Sequence, residues 1–387
     1  MRYICTSIVA VVMAPAVTGA DVLHVPDEYF NIAAAAFSAS PGDTIEIASH
    51  YDSSLDDHMG VGIGVTNITI QGETNSSGSP LATLIGIPFW ISSGCDPTFQ
   101  DLSFNGGTGP WGTDSICGGY GSPNFTRCLF EDVPAVIAGS YTGTVSDCIF
   151  TNSSGSSGYN NLFEIANTTS SDMTMFTGCA FDSVAFPIWS EASAEGSIVV
   201  QGCAITECKP VVFKGGDVEV LDSTFSSCTI GAASIETSFI ISNCNFEDNY
   251  GHQASAVSLQ GDASGTFLNC TFADNLSHTR GAIQVETSMD IVLSNCVISD
   301  NTNLADPSGA DAGGITTYMW NQPVSILLDD STLCNNSPAN MDCSVQISGT
   351  VTNTPACTNQ CMGDTDGNGV VNIEDLLNML GSWGACP

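Results

Sequence analysis

Twelve residues near the C-terminus carry the most legible chemistry in the chain. In Asp364-Thr-Asp-Gly-Asn-Gly-Val-Val-Asn-Ile-Glu-Asp375, oxygen-bearing side chains fall at loop positions 1, 3, 5, 9 and 12, as Asp364, Asp366, Asn368, Asn372 and Asp375. Gly369 takes the sixth place, where such a loop turns sharply, and Val370 offers its carbonyl at the seventh. A Ca²⁺ ion takes about six to eight hard oxygen ligands, and this spacing wraps them around one point. We read the loop as an EF-hand-type calcium site with Asp364, Asp366, Asn368, Val370, Asn372 and Asp375 as ligands. Position 12 is Asp, not the usual bidentate Glu. Leu376, Leu377 and Leu380 mark one face of a short helix that follows.

Other reactive groups are sparse. Removing a proton from carbon needs a basic side chain. After residue 20 the chain offers only Arg127, Lys209, Lys214 and Arg280. Arg280 is the best catalytic candidate, with His278 and Asp274 close in sequence; the competing reading is a turn residue paired with an acidic wall. Asp248, Asp274 and Asp300 recur at one offset and form a candidate carboxylate ladder for acid/base work or cation binding. They read equally as turn residues bonding their own backbone. Asp329-Asp330 is a second carboxylate pair. His252 and His278 also share an offset, either as a metal pair or as solvent-facing turn residues. Trp90, Trp111, Trp189 and Trp320 are scattered, and serve as sugar platforms or as packing. The chain has no nucleophile elbow and no phosphate-cradling loop.

These groups need a scaffold, and an internal repeat supplies it. A polar residue or Gly, then usually Cys or Ser, any residue, and Phe, Ile or Leu recur as Asp101–Phe104, Arg127–Phe130, Asp147–Phe150, Gly178–Phe181, Gly202–Ile205, Asp222–Phe225, Asn243–Phe246, Asn269–Phe272, Asn295–Ile298 and Asp330–Leu333. Asn67–Ile70 reads as an earlier copy. The second and fourth residues share one strand face, so Cys and Phe point into a core. Copies lie 20 to 35 residues apart, with Gly, Ser, Asn and Asp between them. That variability suits a solenoid of about eleven coils, roughly 50 Å long at ~4.8 Å per coil. Asn249, Asn275 and Asn301 then form a ladder that satisfies its own amides and turn carbonyls. Cys128, Cys148, Cys179, Cys203, Cys244, Cys270 and Cys296 occupy one motif position, with Ser223 filling the gap. We expect most of the seven to be unpaired buried thiols, and any disulfides to lie at Cys95/Cys117, Cys334/Cys343 or among the last three cysteines.

Composition narrows the classes. Met1-Arg-Tyr3, the apolar run Ile8–Ala14 and Thr18-Gly-Ala20 read as a secretory signal. No later segment is long and apolar enough to suggest a membrane span. Net charge is −36, from 41 acidic against five basic residues, which repels nucleic-acid phosphates and anionic lipid and attracts divalent cations. A hydrophobic content of 43% argues against disorder.

Leu23-His-Val-Pro-Asp27, Ser40–Ile47 and Asn67-Ile-Thr-Ile-Gln-Gly72 resemble the opening of pectin-lyase-like right-handed parallel β-helix proteins. In that family an amphipathic helix caps the first coil, and Asn31–Ser38, ended by Pro41-Gly42, fits it. Phe246-Glu-Asp-Asn249, Phe272-Ala-Asp-Asn275, Arg280-Gly-Ala-Ile283 and Gly313-Gly-Ile315 resemble the repeats of polymorphic outer-membrane proteins. The calcium loop, preceded by Gly363, resembles a single dockerin repeat, which implies a cohesin-like partner. The expected organisation is a signal at 1–20, an all-β parallel β-helix at 21–352, a linker at 353–362 and the dockerin-like module at 363–387. Two functions follow from the resemblance. One is a secreted extracellular binding, structural or adhesin-like protein directed at polysaccharide or a cell surface. The other is a polysaccharide lyase or glycoside hydrolase with a dockerin-like tail. The polygalacturonase signatures Asn-Thr-Asp and Gly-His-Gly are absent, which favours the first.

Overall fold

The repeat motifs stack in register, one per coil. Phe104 pairs with Phe130, Phe130 with Phe150 and Phe150 with Phe181. Further on, Phe225, Phe246, Phe272, Ile298 and Leu333 continue the column. The computed structural model describes residues 20–348 apart from 57–59, 107–114, 138–140, 154–160, 167, 305–311, 318–323 and 342–344. Its strands form a parallel β-helix. A first sheet has fourteen strands and a second has eleven, the second built from all ten motif copies plus Thr83–Ile85. A third face combines a three-stranded and a seven-stranded sheet, joined by isolated bridges from Cys117 through Ile137 to Phe163. A short sheet of Tyr250–Gly251, Leu276–Ser277 and Thr302–Asn303 is inserted between the second and third faces.

Fourteen strands exceed the eleven coils expected, because among the described residues the first two coils and the last carry no strand in the second sheet. At about 4.8 Å per coil the rod is roughly 60 Å long. Asn67–Ile70 is not an early motif copy. Ile70 pairs with Ile45 and Phe99 in the first sheet, and the second-sheet strand of that coil is Thr83–Ile85, with Leu84 against Phe104. A polar-x-x-Ile string serves either sheet, so four residues could not tell them apart.

The corners explain the turn composition. The first residue of every clear motif copy has positive φ, including Asp101, Arg127, Asp147 and Asn243. So does the residue two places after the closing Phe, Ile or Leu: Asp132, Asn152, Ser183, Glu207, Ser227, Asp248, Asp274, Asp300 and Asn335. Left-handed backbone costs ordinary residues about 1–2 kcal/mol, and Asn, Asp and Gly least. Each motif strand is therefore bracketed by single left-handed residues that bend the chain between sheets.

The core is a stack of columns. Phe104, Phe130, Phe150 and Phe181 lie ring on ring at 4.6–4.9 Å, as do Phe225, Phe246 and Phe272. Asn249, Asn275 and Asn301 are buried. The Asn249 side-chain amide donates to Asn275 Oδ1 at 2.9 Å and to the Phe225 carbonyl at 3.0 Å, and Asn275 repeats both bonds one coil on. The ladder runs further than the motif spacing implied. Asn301 continues it to Asn336 and Asn336 to Asn340.

All seven ladder cysteines are unpaired and buried, as are Cys208 and Cys228, which fill an earlier stretch of the Asn column. Cys95 and Cys117 are also unpaired, so the structure does not support a bridge there; each is packed in the core. Cys334 is unpaired, while Cys343 and the last three cysteines lie outside the described residues. The ladder position needs more than a small side chain. Cys148 Sγ accepts the Cys128 N–H at 3.4 Å and donates to the Ser146 carbonyl at 3.3 Å. Ser223 Oγ makes the same two bonds with Cys203 and Leu221, at 3.1 and 2.8 Å. Burial pushes the Cys208 thiol up to about 12 and that of Cys228 to about 11, so neither is a nucleophile at neutral pH.

A helix at Ile32–Ser38 covers the N-terminal end, as expected. Asn31 caps it by accepting the Ala34 N–H at 2.9 Å, and the buried Asp56 carboxylate takes the Ile32 and Ala33 N–H groups at 2.9 and 3.2 Å. Ile32, Ala35 and Ala36 are its buried face.

Candidate functional site

The calcium ligands Asp364, Asp366, Asn368, Val370, Asn372 and Asp375 lie outside the described residues. Among the described residues, no group of three or more His, Cys, Asp or Glu side chains is arranged to hold a metal ion.

Asp274, His278 and Arg280 fall on one coil between the second and third faces, close to the inserted strand Leu276–Ser277. Asp274 is exposed, holds φ of 55° and donates its N–H to the Ser299 carbonyl at 3.3 Å. Asp248 and Asp300 make the same bond to the coil above, so the carboxylate ladder is first of all a row of corner residues. His278 is half-buried. Its ring meets Tyr250 edge-on at 5.5 Å and His252 at 6.0 Å, both on the preceding coil. The two histidines are thus neighbours, as their shared offset implied. Arg280 is half-buried at the corner leading into Ile283–Glu286. Of the other basic residues, Arg127 is committed to structure: its guanidinium forks onto Asp101 with two bonds of 2.8 Å. Burial works against the charged Asp101 carboxyl, but the Arg127 bonds outweigh it and hold its pKa below the usual carboxylate range.

A larger feature was invisible to motif reading. The outer side of the first sheet carries an open groove of about 630 Å³ across five consecutive strands, Ser197–Gln201, Asp217–Leu221, Ser238–Ser242, Ser264–Leu268 and Ile291–Ser294. Strand alternation puts Val199, Glu219, Ile240, Thr266 and Val292 in one outward row by direct register. Asp217, Ser238, Ser264 and Asp290 line the groove beside it, and Ser238 Oγ donates to Asp217 Oδ1 at 2.6 Å. Gly265 has no room for a side chain, because a Cβ there would sit 2.0 Å from the Phe239 carbonyl. Three carboxylates, several hydroxyls and the apolar Ile240 and Val292 line the groove, with no Lys, Arg or His. The only trace of this site in sequence was the identity of outward strand residues, spread over five successive coils and adjacent only after stacking.

A family profile described as "Right handed beta helix region" matches residues 196–360. The fold is a right-handed parallel β-helix. The match spans every strand of the groove. Among solved structures, the periplasmic alginate epimerase AlgG is similar at 12% identity, with 86% of this chain and 83% of that chain covered and a TM-score of 0.48. A likeness at that level carries no argument about activity. No curated protein matches. Among the described residues, no helix is long and apolar enough to cross a membrane.

Proposed function

We propose that this chain is a secreted β-helix protein that binds an extended, uncharged polysaccharide along the groove on its first sheet. The observation that carries this reading is the outward row Val199, Glu219, Ile240, Thr266 and Val292, which repeats once per coil across the groove. Its ~4.8 Å step is close to the rise of one sugar in an extended chain, so successive coils meet successive sugars. Carboxylates and hydroxyls accept and donate hydrogen bonds to sugar hydroxyls, while Ile240 and Val292 pack against C–H faces. Three acidic side chains with no basic one beside them in the lining disfavour a uronate polymer in this groove. The lining also lacks the basic residue a lyase needs, which favours binding over turnover. The calcium loop at Asp364–Asp375 serves in this reading as a tail module for a cell-surface or cohesin-like partner.

The test is calorimetry of the full chain against soluble neutral and uronate polysaccharides, with Thr266→Arg as a groove-filling variant. Binding of a neutral chain, weakened about tenfold or more by the variant, supports the reading. Equal binding by the variant, or no binding of any neutral chain, overturns it. Ultraviolet-absorbing unsaturated products or new reducing ends would move the protein to the lyases or hydrolases.

A further inference from the structure

We propose that the third face of the β-helix carries a second saccharide site, built on Trp189, that takes a sugar bearing an anionic substituent. The face is formed there by Phe163–Ile165, Ile188–Ser190 and Val211–Phe213, with Glu164, Trp189 and Val212 in one row. Phe186, at the corner before Trp189, meets the indole edge-on at 5.5 Å. Lys214 Nζ lies 4.7 Å from the Trp189 ring centroid, and Lys209 Nζ lies 5.3 Å from that of Phe186. The indole N–H donates to Glu191 at 2.6 Å, which locks the ring in place. All of these side chains but Val212, which is buried, are half-buried.

The charges are what point to a ligand. The chain has 41 acidic residues and five basic ones, and two of the five stand together here. In such a chain a lysine has carboxylates in abundance, yet neither Lys209 nor Lys214 forms an ion pair among the described residues. Each ammonium rests on an aromatic face instead, which holds it in place while leaving N–H donors for an incoming anion. Glu191, the nearby acid, is committed to the indole. Burial, and the neighbouring Glu191 charge, raise the Glu164 pKa, so its carboxyl holds a proton more readily than an exposed one. The arrangement combines an oriented indole edge, two held cations and carboxyl groups at the rim. That is the chemistry of a sugar ring with a carboxylate or sulfate: apolar ring against aromatic, anion against ammonium, hydroxyls against Glu164. It is the opposite selectivity to the acidic groove, on a different sheet, so the two sites stand or fall separately.

The experiment is calorimetric titration of the full chain with three oligosaccharides of one backbone: uncharged, carboxylated and sulfated. The charged compounds should bind and the uncharged one should not bind at this face. The carboxylated and sulfated arms identify which anion is taken. A Lys209→Gln/Lys214→Gln double variant should weaken the charged ligand at least about tenfold with an unchanged circular-dichroism melting curve. Trp189→Phe should remove the ligand-induced fluorescence change, and Thr266→Arg in the groove should leave the charged titration as it was. The proposal is overturned if neither charged compound binds, or if the double variant binds them as the parent does. It is equally overturned if the double variant only lowers the melting temperature, because the lysines are then clamps between coils.

Discussion

Single residues in this fold work through their neighbours one coil away. Asn275 accepts the Asn249 main-chain and side-chain N–H groups at 3.1 and 2.9 Å and donates to the Phe246 carbonyl at 2.9 Å. Asn275→Leu matches its size but strands those groups in the core. It should cost about 3 kcal/mol or more, read as a lower denaturant midpoint; a change under about 0.5 kcal/mol would show that the ladder is dispensable. Asp101 and Arg127 give a pH signature. The Asp101 pKa is depressed in the folded state, so its contribution is present above the unfolded value of about 3.9 and is lost as pH falls through the folded one. Arg127→Met leaves a nearly buried carboxylate unpaired. The variant should be less stable at neutral pH by about 1–3 kcal/mol, and the gap to the parent should close as pH falls below about 4. A gap independent of pH would remove the ion pair from the account. Lys209 and Lys214, which rest on aromatic rings and form no ion pair among the described residues, belong to this scale too, and no spacing rule announces them.

The strand and its two corners are the element from which the molecule is made. The second and fourth residues of each motif, most often Cys and Phe, face inward, and the corner residues on either side are left-handed. Phe272 stacks on Phe246 at 4.9 Å and meets Phe267 edge-on at 5.4 Å. Phe272→Ala should therefore cost about 3–5 kcal/mol, as a cavity opens inside a column that cannot collapse without shifting its neighbours. A loss under about 1 kcal/mol would argue against the packed column. The thiols give a second prediction. Eleven described cysteines are buried and unpaired and Cys334 is unpaired and half-buried, so at least twelve thiols should react in unfolded, unreduced protein. Native protein should show few of them. One or two thiols after unfolding would mean that the ladder is cross-linked.

At the scale of the whole chain, an acidic groove lies on the first sheet and two lysines stand on the third face, and the Asp364–Asp375 spacing leads us to propose a calcium loop. Full-chain calorimetry should detect Ca²⁺ binding that Asp364→Ala largely removes; equal binding by parent and variant would end the assignment. The sequence by itself determined the coil. Period-two alternation, Asn, Asp and Gly at corners and a recurring Phe leave little choice but a parallel stack, and local physics sets each of them. Its limits were local as well. Asn67–Ile70 was assigned to the wrong sheet because four residues carry no information on which face they join. Cys95 and Cys117 suggested a bridge because the sequence does not show which way two buried side chains point. Only the tertiary structure decided the groove and the Trp189 face. Their residues come from coils about 20 to 30 positions apart, and neither the outward row through Glu219, Ile240 and Thr266 nor the Lys214–Trp189 pair exists until parallel pairing fixes the register between coils.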